Sequence, residues 1–555
     1  MVIRLPKWLL LSICAFFLSQ GNKAIGSLFE YSKNIEILTA LYKELGTHYV
    51  DEIEPGTLMK TGIDAMLKSL DPYTNFFSEY QAEEALMERQ GHYGGVGCSV
   101  VLRNNYPIIT DIEDSYAFDK ADIHLGDVIT HINGIHLRNK TIEELLTLFR
   151  GAPNTAFSLV LQREGVPLKK SILRMAVKTP SVAYSGLLDH NIAYIKLEEF
   201  NENAAGEIAQ SLTKMMDNIA TTNAAKNTDS PAELQGVILD LRDNGGGLLN
   251  EAVKIVGLFV GENRSVVTLR GHNMGLDKNN ITTNKALLPN TPLVVLVNAR
   301  SASASEVVSG SLQDMDRAII LGQTSFGKGL VQNYAPLPYR TQMKLTVAKY
   351  YTPSGRCIQK LQYSDRDENG KPKQMNQSQK KAFKTANGRI VYEGGGIDPD
   401  RVIDPFQGIA ILQWITQENI LFDWANHAFN VNPDSSQYKP SDADFEQFVG
   451  LALGKTESLL KGKMQKALNA IHGDSVLIKQ LGLMNVNTAK LNTQIKSEID
   501  KNKNTILKMM TRELLLRKYK KPSFYRLWLH RDPETQDAVL LLSDLPRYQG
   551  YLKTP

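Results

Sequence analysis

The sequence predicts an α/β protein, with a core of alternating strands and helices, a strand-and-turn insertion ahead of it and helical segments at both ends. Three observations predict this. Between residues 190 and 350, short apolar runs alternate with helical patterns, which is the signature of βαβ units. From Tyr93 to about Lys170 the pattern changes to short strands and turns. Residues 30–90 and the chain beyond about 410 carry helical apolar spacing.

The elements follow in order. Arg4 and Lys7 precede the apolar run Trp8–Leu18, and small and polar residues follow from Ser19 to Ala24. A charged start, an apolar stretch too short for a comfortable membrane span and a small-residue exit read as a secretory signal over 1–24. A lipoprotein reading through Cys14 and a buried first helix are the alternatives. Asn34–Tyr42 and Thr61–Leu70 have helical spacing, and Pro72 breaks the pattern. Ser99–Leu102, Tyr106–Thr110 and Leu125–Gly134 read as strands, the last closing on an Asn-Gly turn. Thr141–Phe149 reads as a helix and Ala156–Leu161 as a strand.

In the core, Ile192–Leu197, Gly236–Leu241, Leu293–Asn298 and Ala318–Gly322 are predicted strands, and Ala205–Met215, Asn250–Phe259 and Ala304–Met315 predicted helices. Residues 363–390 are polar and read as an exposed excursion. Thr505–Lys521 is an amphipathic stretch whose charge reads as a solvated helix face.

Composition narrows the function. A length of 555 residues suits roughly three or four domains. A hydrophobic share of 42% and a charged share of 22% are ordinary for globular chains. A formal net charge of +4, with no basic stripe among aromatics, gives no case for nucleic acid. Cys98 and Cys357 remain after the signal, so there is no disulfide framework, though a bridge between them is open; no cysteine or histidine cluster suggests zinc.

Three segments carry chemistry. In Leu293–Glu306 a buried strand runs into Ser301, Ser303 and Ser305 and then a helix. A serine at such a junction faces outward-pointing helix N–H groups, which stabilise an oxyanion. The plainer reading of Ser303-x-x-Glu306 is a capping box. A nucleophilic serine needs a base, and no histidine lies between His272 and His427. A lysine serves if burial keeps it neutral, and Lys328, flanked by Gly327 and Gly329, is the candidate. Gly322–Gly329 also approaches a phosphate-binding loop, but Gly329 stands where the Mg²⁺-binding hydroxyl belongs, and the residues that follow read as a strand. In Asp240–Gly247, three glycines after a strand permit positive φ and expose N–H groups, either as a nest for an anion or as an ordinary turn.

Together these segments resemble the C-terminal processing peptidases, or tail-specific proteases, of the S41 serine peptidases. The resemblance covers residues 35–405 in consistent order, through Asp71–Thr74, Tyr93–Gly97, Leu125–Ile129, Asp240–Gly247, Ser301–Glu306, Phe326–Gly329 and Gly396–Asp400. It implies a crotonase-like (ClpP/crotonase) core over 177–410, an inserted PDZ domain over 89–176, an N-terminal helical segment over 25–88 and a C-terminal helical extension over 411–555. It implies Ser303 as nucleophile, Lys328 as general base 25 residues later, Gln332 orienting the lysine, and the N–H groups of Gly246 and Ala304 as oxyanion hole. The residues alone leave the choice among the three serines open. On a straight strand Lys328 and Gln332 would stand roughly 13 Å apart, so the chain must turn between them.

Gly94, Gly95, Val96 and Gly97 would form the PDZ loop that cradles a C-terminal carboxylate, with the strand from Cys98 taking the peptide by edge addition, so that the domain recognises substrate tails or gates the site. The implied activity is serine endopeptidase cleavage at or near C-terminal tails through an acyl-enzyme, without metal or organic cofactor. The implied partners are proteins or peptides with accessible C-termini; an envelope adaptor and a homo-oligomer are open. The implied location is the periplasm, with membrane association as an alternative. The rival readings are a non-catalytic PDZ binding module and a crotonase-type acyl-CoA enzyme. Both fit poorly, the first because Ser303, Lys328 and Gln332 are all present, the second because an export signal takes the chain away from thioesters.

Overall fold

The computed structural model describes residues 29–79, 81–82, 92–178, 180–226, 233–272, 277–368, 370–375, 380–403, 409–431, 439–470 and 488–553. The predicted signal lies outside them. Among the described residues no helix is long and apolar enough to cross a membrane. The chain divides into two compact units, one of residues up to Phe77 with Tyr334–Leu345, the other of Ser78–Asn333 with Thr346–Pro555.

In the first unit, a helix over 29–48 is followed by the helix Pro55–Lys68, opened by proline at its first turn. The helix stops where Asp71 takes over the backbone: its Oδ1 accepts the Tyr73 and Thr74 N–H groups at 2.8 and 2.9 Å. The strand Asn75–Phe77 then pairs antiparallel with residues 342–344.

In the second unit, the insertion is an antiparallel sheet ordered Cys98–Arg103, Tyr106–Ile112, Val128–Ile132, Ala156–Arg163, Val166–Leu173, closed by the helix Ile142–Phe149. Thr141 caps that helix in a box with Glu144. Ile109, Phe118, Ile129, Leu145 and Leu159 fill the core beneath.

The central sheet runs Val182–Leu188, Ile192–Leu197, Gly236–Asp240, Leu293–Val297, Ile319–Gly322, Arg401–Val402; its first pair is antiparallel and the rest parallel. Gly236–Leu239 and Leu293–Val297 read as apolar runs because both faces are covered. Alternation along the strand sorts its side chains: Leu293, Val295 and Val297 face one cluster with Val307, Val308 and Leu312, while Val294 and Leu296 face another. The helices Ala204–Lys226, Leu249–Val260 and Ala304–Asp314 supply the first covering layer. The second comes from the end of the chain, where Ala538, Val539, Leu541, Leu542 and Tyr548 pack on Ile192, Tyr194, Ile238 and Val294. Thus the helices Pro533–Ser543 and Leu545–Tyr551 complete the sandwich, a job their own periodicity did not announce. The helices from 409 to 518 enclose a separate core around Trp424, Phe445, Phe448 and Met510.

Two expectations need refinement. The described residues of 363–390 are mostly exposed, as expected, but they are not structureless: Leu361–Arg366 pairs with Pro372–Gln374 and Ala382–Lys384 with Ile390–Tyr392. Arg389 reaches back as a buried ion-pair centre to Asp316 at 2.6 Å and Asp400 at 2.5 Å. Nor is the charge at Thr505–Lys521 merely solvated. Arg517, 2% exposed at its side chain, bonds Glu513, Asn426 and the Phe422 carbonyl. Lys521 binds Glu113 at 2.8 Å, Asp111 at 3.3 Å and Glu198 at 3.5 Å, joining the insertion to the central sheet. Cys98 and Cys357 are both free thiols.

Candidate active site

The strand Leu293–Val297 ends at Asn298, and the helix Ala304–Asp314 starts six residues on, so Ser301–Ser303 form a tight corner. Ser303 takes φ 57° and ψ −113° there, a conformation β-carbon-bearing residues avoid. Such strain persists only where surroundings impose it, and they are visible. Glu306, fully buried, accepts the Ser303 N–H at 2.8 Å and the Lys328 N–H at 2.9 Å on one oxygen. Its other oxygen accepts the Ser325 hydroxyl at 2.6 Å and the Gly327 N–H at 2.7 Å. Burial pushes the Glu306 carboxyl above its ordinary range, while these four donors pull it back.

A second bridge repeats the first from the other side. The Tyr350 hydroxyl reaches both the Ser303 carbonyl, at 3.2 Å, and the Lys328 carbonyl, at 2.5 Å. Glu306 thus fastens both backbones through their N–H groups, and the single Tyr350 proton, held mainly by the Lys328 carbonyl, also faces the Ser303 carbonyl. Ser303 and Lys328 are visible in the sequence. Glu306 reads there only as a local cap, and Tyr350 has no motif around it to single it out.

The three serines separate by their partners. Ser301 is fully buried and donates to the Leu241 carbonyl at 2.8 Å; Ser305, also fully buried, donates to the Asn244 carbonyl at 2.9 Å. Both tie the corner to the Asp240–Gly247 loop. Ser303 is partly exposed.

That loop lies against the Ser301–Ser303 corner. Gly246 and Gly247 have φ of 111° and 141°, as the glycine run predicts. A Cβ on Gly246 would stand 2.8 Å from Ser303 Cβ and 3.1 Å from Ala304 N, so Gly246, Ser303 and Ala304 are brought together. The Gly246 N–H itself donates to Asn244 Oδ1 at 2.8 Å. Ala304 is the first residue of its helix, where N–H groups have no intrahelical acceptor. Gln332 lies on the strand Leu330–Pro336, and its Nε2 donates to Thr346 Oγ1 at 3.3 Å, leaving its oxygen as an acceptor. Lys328 precedes that strand in a loop, so the straight-strand separation does not apply.

In the insertion, Gly94 and Gly95 belong to the strand His92–Gly95, which pairs with Met175–Lys178. A side chain at Gly94 would collide with the Gly151 carbonyl at 1.9 Å. Val96 is buried in the core, and Gly97, at φ 71°, turns the chain into Cys98–Arg103. That strand is the edge of its sheet and lies beside the helix Ile142–Phe149, leaving an edge for an added strand.

A crevice of about 840 Å³ opens between the insertion, the central sheet and the C-terminal helices, floored by Lys196, Asp240 and Arg242; neither Ser303 nor Lys328 lines it.

Comparison with known proteins gives consistent matches. The model for peptidase family S41 matches residues 191–365, a PDZ domain model matches 108–163, and a model described as probable PDZ-protease, C-terminal helical domain, matches 411–542. A carboxy-terminal-processing protease of Bartonella bacilliformis is 34% identical over 326 residues, 58% of this chain and 71% of that relative. A probable CtpA-like serine protease of Staphylococcus aureus is 31% identical over 329 residues, 59% of this chain and 62% of its own length. Among solved structures, a photosystem II D1 C-terminal processing protease aligns over 66% of this chain and 91% of its own, at 23% identity and a TM-score of 0.37.

Proposed function

Because the chain belongs to peptidase family S41 and is a serine peptidase, we propose that it cleaves exported proteins at or near their C-termini through a Ser303–Lys328 dyad on a crotonase-like core. The observation that carries this reading is the double bridge of Glu306 and Tyr350, which holds the backbones of one serine and one lysine together.

Lys328 Nζ, neutral, takes the Ser303 Oγ proton as Oγ attacks the scissile carbonyl carbon. The oxygen becomes negative and is met by the Ala304 N–H at the helix start and by the Gly246 N–H. The latter must share or leave Asn244 Oδ1 to do so. The C–N bond breaks as Lys328 returns the proton to the departing amine. Water then attacks the acyl-serine with Lys328 again as base, releasing the acid and restoring Oγ–H. Gln332 can accept from the lysine through its oxygen while its nitrogen stays on Thr346. The insertion takes the substrate's carboxylate where the strand His92–Gly95 ends and Val96–Gly97 lead into Cys98–Arg103, and its last residues along that second strand. The charged-then-apolar start directs the chain to the periplasm.

The test is cleavage of an unfolded reporter by purified Ser303→Ala, Lys328→Ala and Lys328→Arg. All three should lose turnover alike, because nucleophile and base act as one unit and arginine keeps its proton. Wild-type rates for Lys328→Ala would show that the base lies elsewhere.

A further inference from the structure

The proposed chemistry makes no use of a buried charged cluster centred on Arg242. Arg242 lies in the loop that ends in Gly246. Its guanidinium, 14% exposed at the side chain, binds Asp240 with Nε at 3.0 Å and Nη2 at 2.6 Å from Oδ2. Two further carboxylates reach it from the far end of the chain: Asp532 Oδ2 at 2.8 Å from Nη2, and Glu534 on Nη1. Lys196 donates to the Arg242 carbonyl and stands 3.4 Å from Asp240 Oδ1; the Tyr194 hydroxyl donates to Asp240 Oδ2. Three carboxylates thus converge on one guanidinium. Burial pushes Glu534 up to about 7, and Asp532 pushes the same way while Arg242 opposes.

Docking the last helices does not require this cluster. Ala538, Val539, Leu541 and Leu542 already bury an apolar face on the sheet. Buried ion pairs add little to stability over apolar packing, because desolvating the charges offsets their attraction. What they add is geometry: a planar fork held from both sides cannot turn. The fork lies at the root of the loop that closes on the nucleophile. Four residues after Arg242, Gly246 abuts Ser303 and Ala304, and between them the Asn244 carbonyl accepts Ala302 N–H and Ser305 Oγ. A shift of Arg242 is therefore passed to the backbone around Ser303.

We propose that Asp532 and Glu534 are positioning residues for catalysis, fixing the oxyanion loop through Arg242, so that the C-terminal helices complete the catalytic centre. This rests on the reading of Gly246 N–H as a donor to the tetrahedral oxygen.

The test uses the full chain with Asp532→Asn/Glu534→Gln, Arg242→Lys, Glu534→Asp and Ser303→Ala, measuring kcat and KM on a reporter tail, the rate at which a fluorophosphonate labels Ser303, and the thermal midpoint. The double variant should lose about 100-fold in kcat and in labelling rate, with KM within about twofold, since a displaced donor is felt in the transition state and not in binding. Arg242→Lys should behave alike, because an ammonium cannot keep the fork. Glu534→Asp, which restores a carboxylate, should recover most of the loss. A folded double variant with wild-type kcat overturns the proposal, as does a rise in KM at constant kcat. If the double variant does not fold, Arg242→Lys with wild-type kcat overturns it equally. An inactive Ser303→Ala beside an active double variant removes only the positioning claim; an active Ser303→Ala removes the dyad with it.

Discussion

Glu306→Gln tests the clamp on which the proposed dyad depends. The carboxylate accepts four hydrogen bonds, two on each oxygen. An amide replaces one oxygen by an NH₂ that can accept nothing. If the NH₂ faces Ser303 and Lys328, two backbone N–H groups are orphaned. If it faces Ser325 and Gly327, only Gly327 is, because the Ser325 hydroxyl can turn to accept. The second arrangement is preferred. It leaves one buried N–H unpaired and weakens two charge-assisted bonds to neutral ones, a gross cost of roughly 3–5 kcal/mol. Removing a fully buried anion offsets part of this, leaving a net loss of about 2 kcal/mol. Ser303 and Lys328 remain bridged but less stiffly, and an error well below 1 Å at the nucleophile corresponds to about tenfold in kcat. The assay is a urea titration alongside reporter cleavage, with kcat corrected to the folded fraction. Wild-type kcat at an unchanged urea midpoint would refute the clamp.

The other predictions are narrower. Ser301→Ala and Ser305→Ala each remove a buried donor to the Asp240–Gly247 loop, so each should cost about 1–2 kcal/mol in urea unfolding while keeping measurable turnover, unlike Ser303→Ala. Gly246→Ala puts a methyl 2.8 Å from Ser303 Cβ at φ 111° and should abolish cleavage, whereas Gly245→Ala meets nothing within 4 Å and should leave it intact; equal rates for the two would contradict the loop's placement. Glu534, raised to about 7 from 4.5 by burial, binds more protons folded than unfolded across that window, so its contribution is full below the lower value and declines as pH rises. Wild type should accordingly lose up to about 3 kcal/mol relative to Glu534→Gln between pH 4 and pH 8, read from urea midpoints; a pH-independent difference would contradict this.

Residues whose signal is local were legible in the sequence. The run Leu293–Val297 reads as a buried strand, the glycines after Asp240 permit positive φ, and Thr141–Phe149 reads as a helix. The illegible parts depend on chain brought from far away. What distinguishes the surroundings of the three serines comes from the carbonyls of Leu241 and Asn244, about sixty positions upstream, which hold Ser301 and Ser305. Glu306 looks like a cap because one of its four donors is local; the other three come from Ser325, Gly327 and Lys328. Arg517 and Lys521 look solvated on a helical wheel, which does not show Asn426 or Glu198. The last helices show only that they have an apolar face, and the face they cover belongs to strands some 250 to 350 residues earlier.

The most direct measurement is the site of covalent labelling. Wild type treated with a fluorophosphonate, digested and read by mass spectrometry should carry the added mass on Ser303 alone, and Lys328→Ala should carry none over the same time, because the hydroxyl is activated only by that amine. A label on Ser301 or Ser305, or wild-type labelling of Lys328→Ala, would contradict the Ser303–Lys328 dyad.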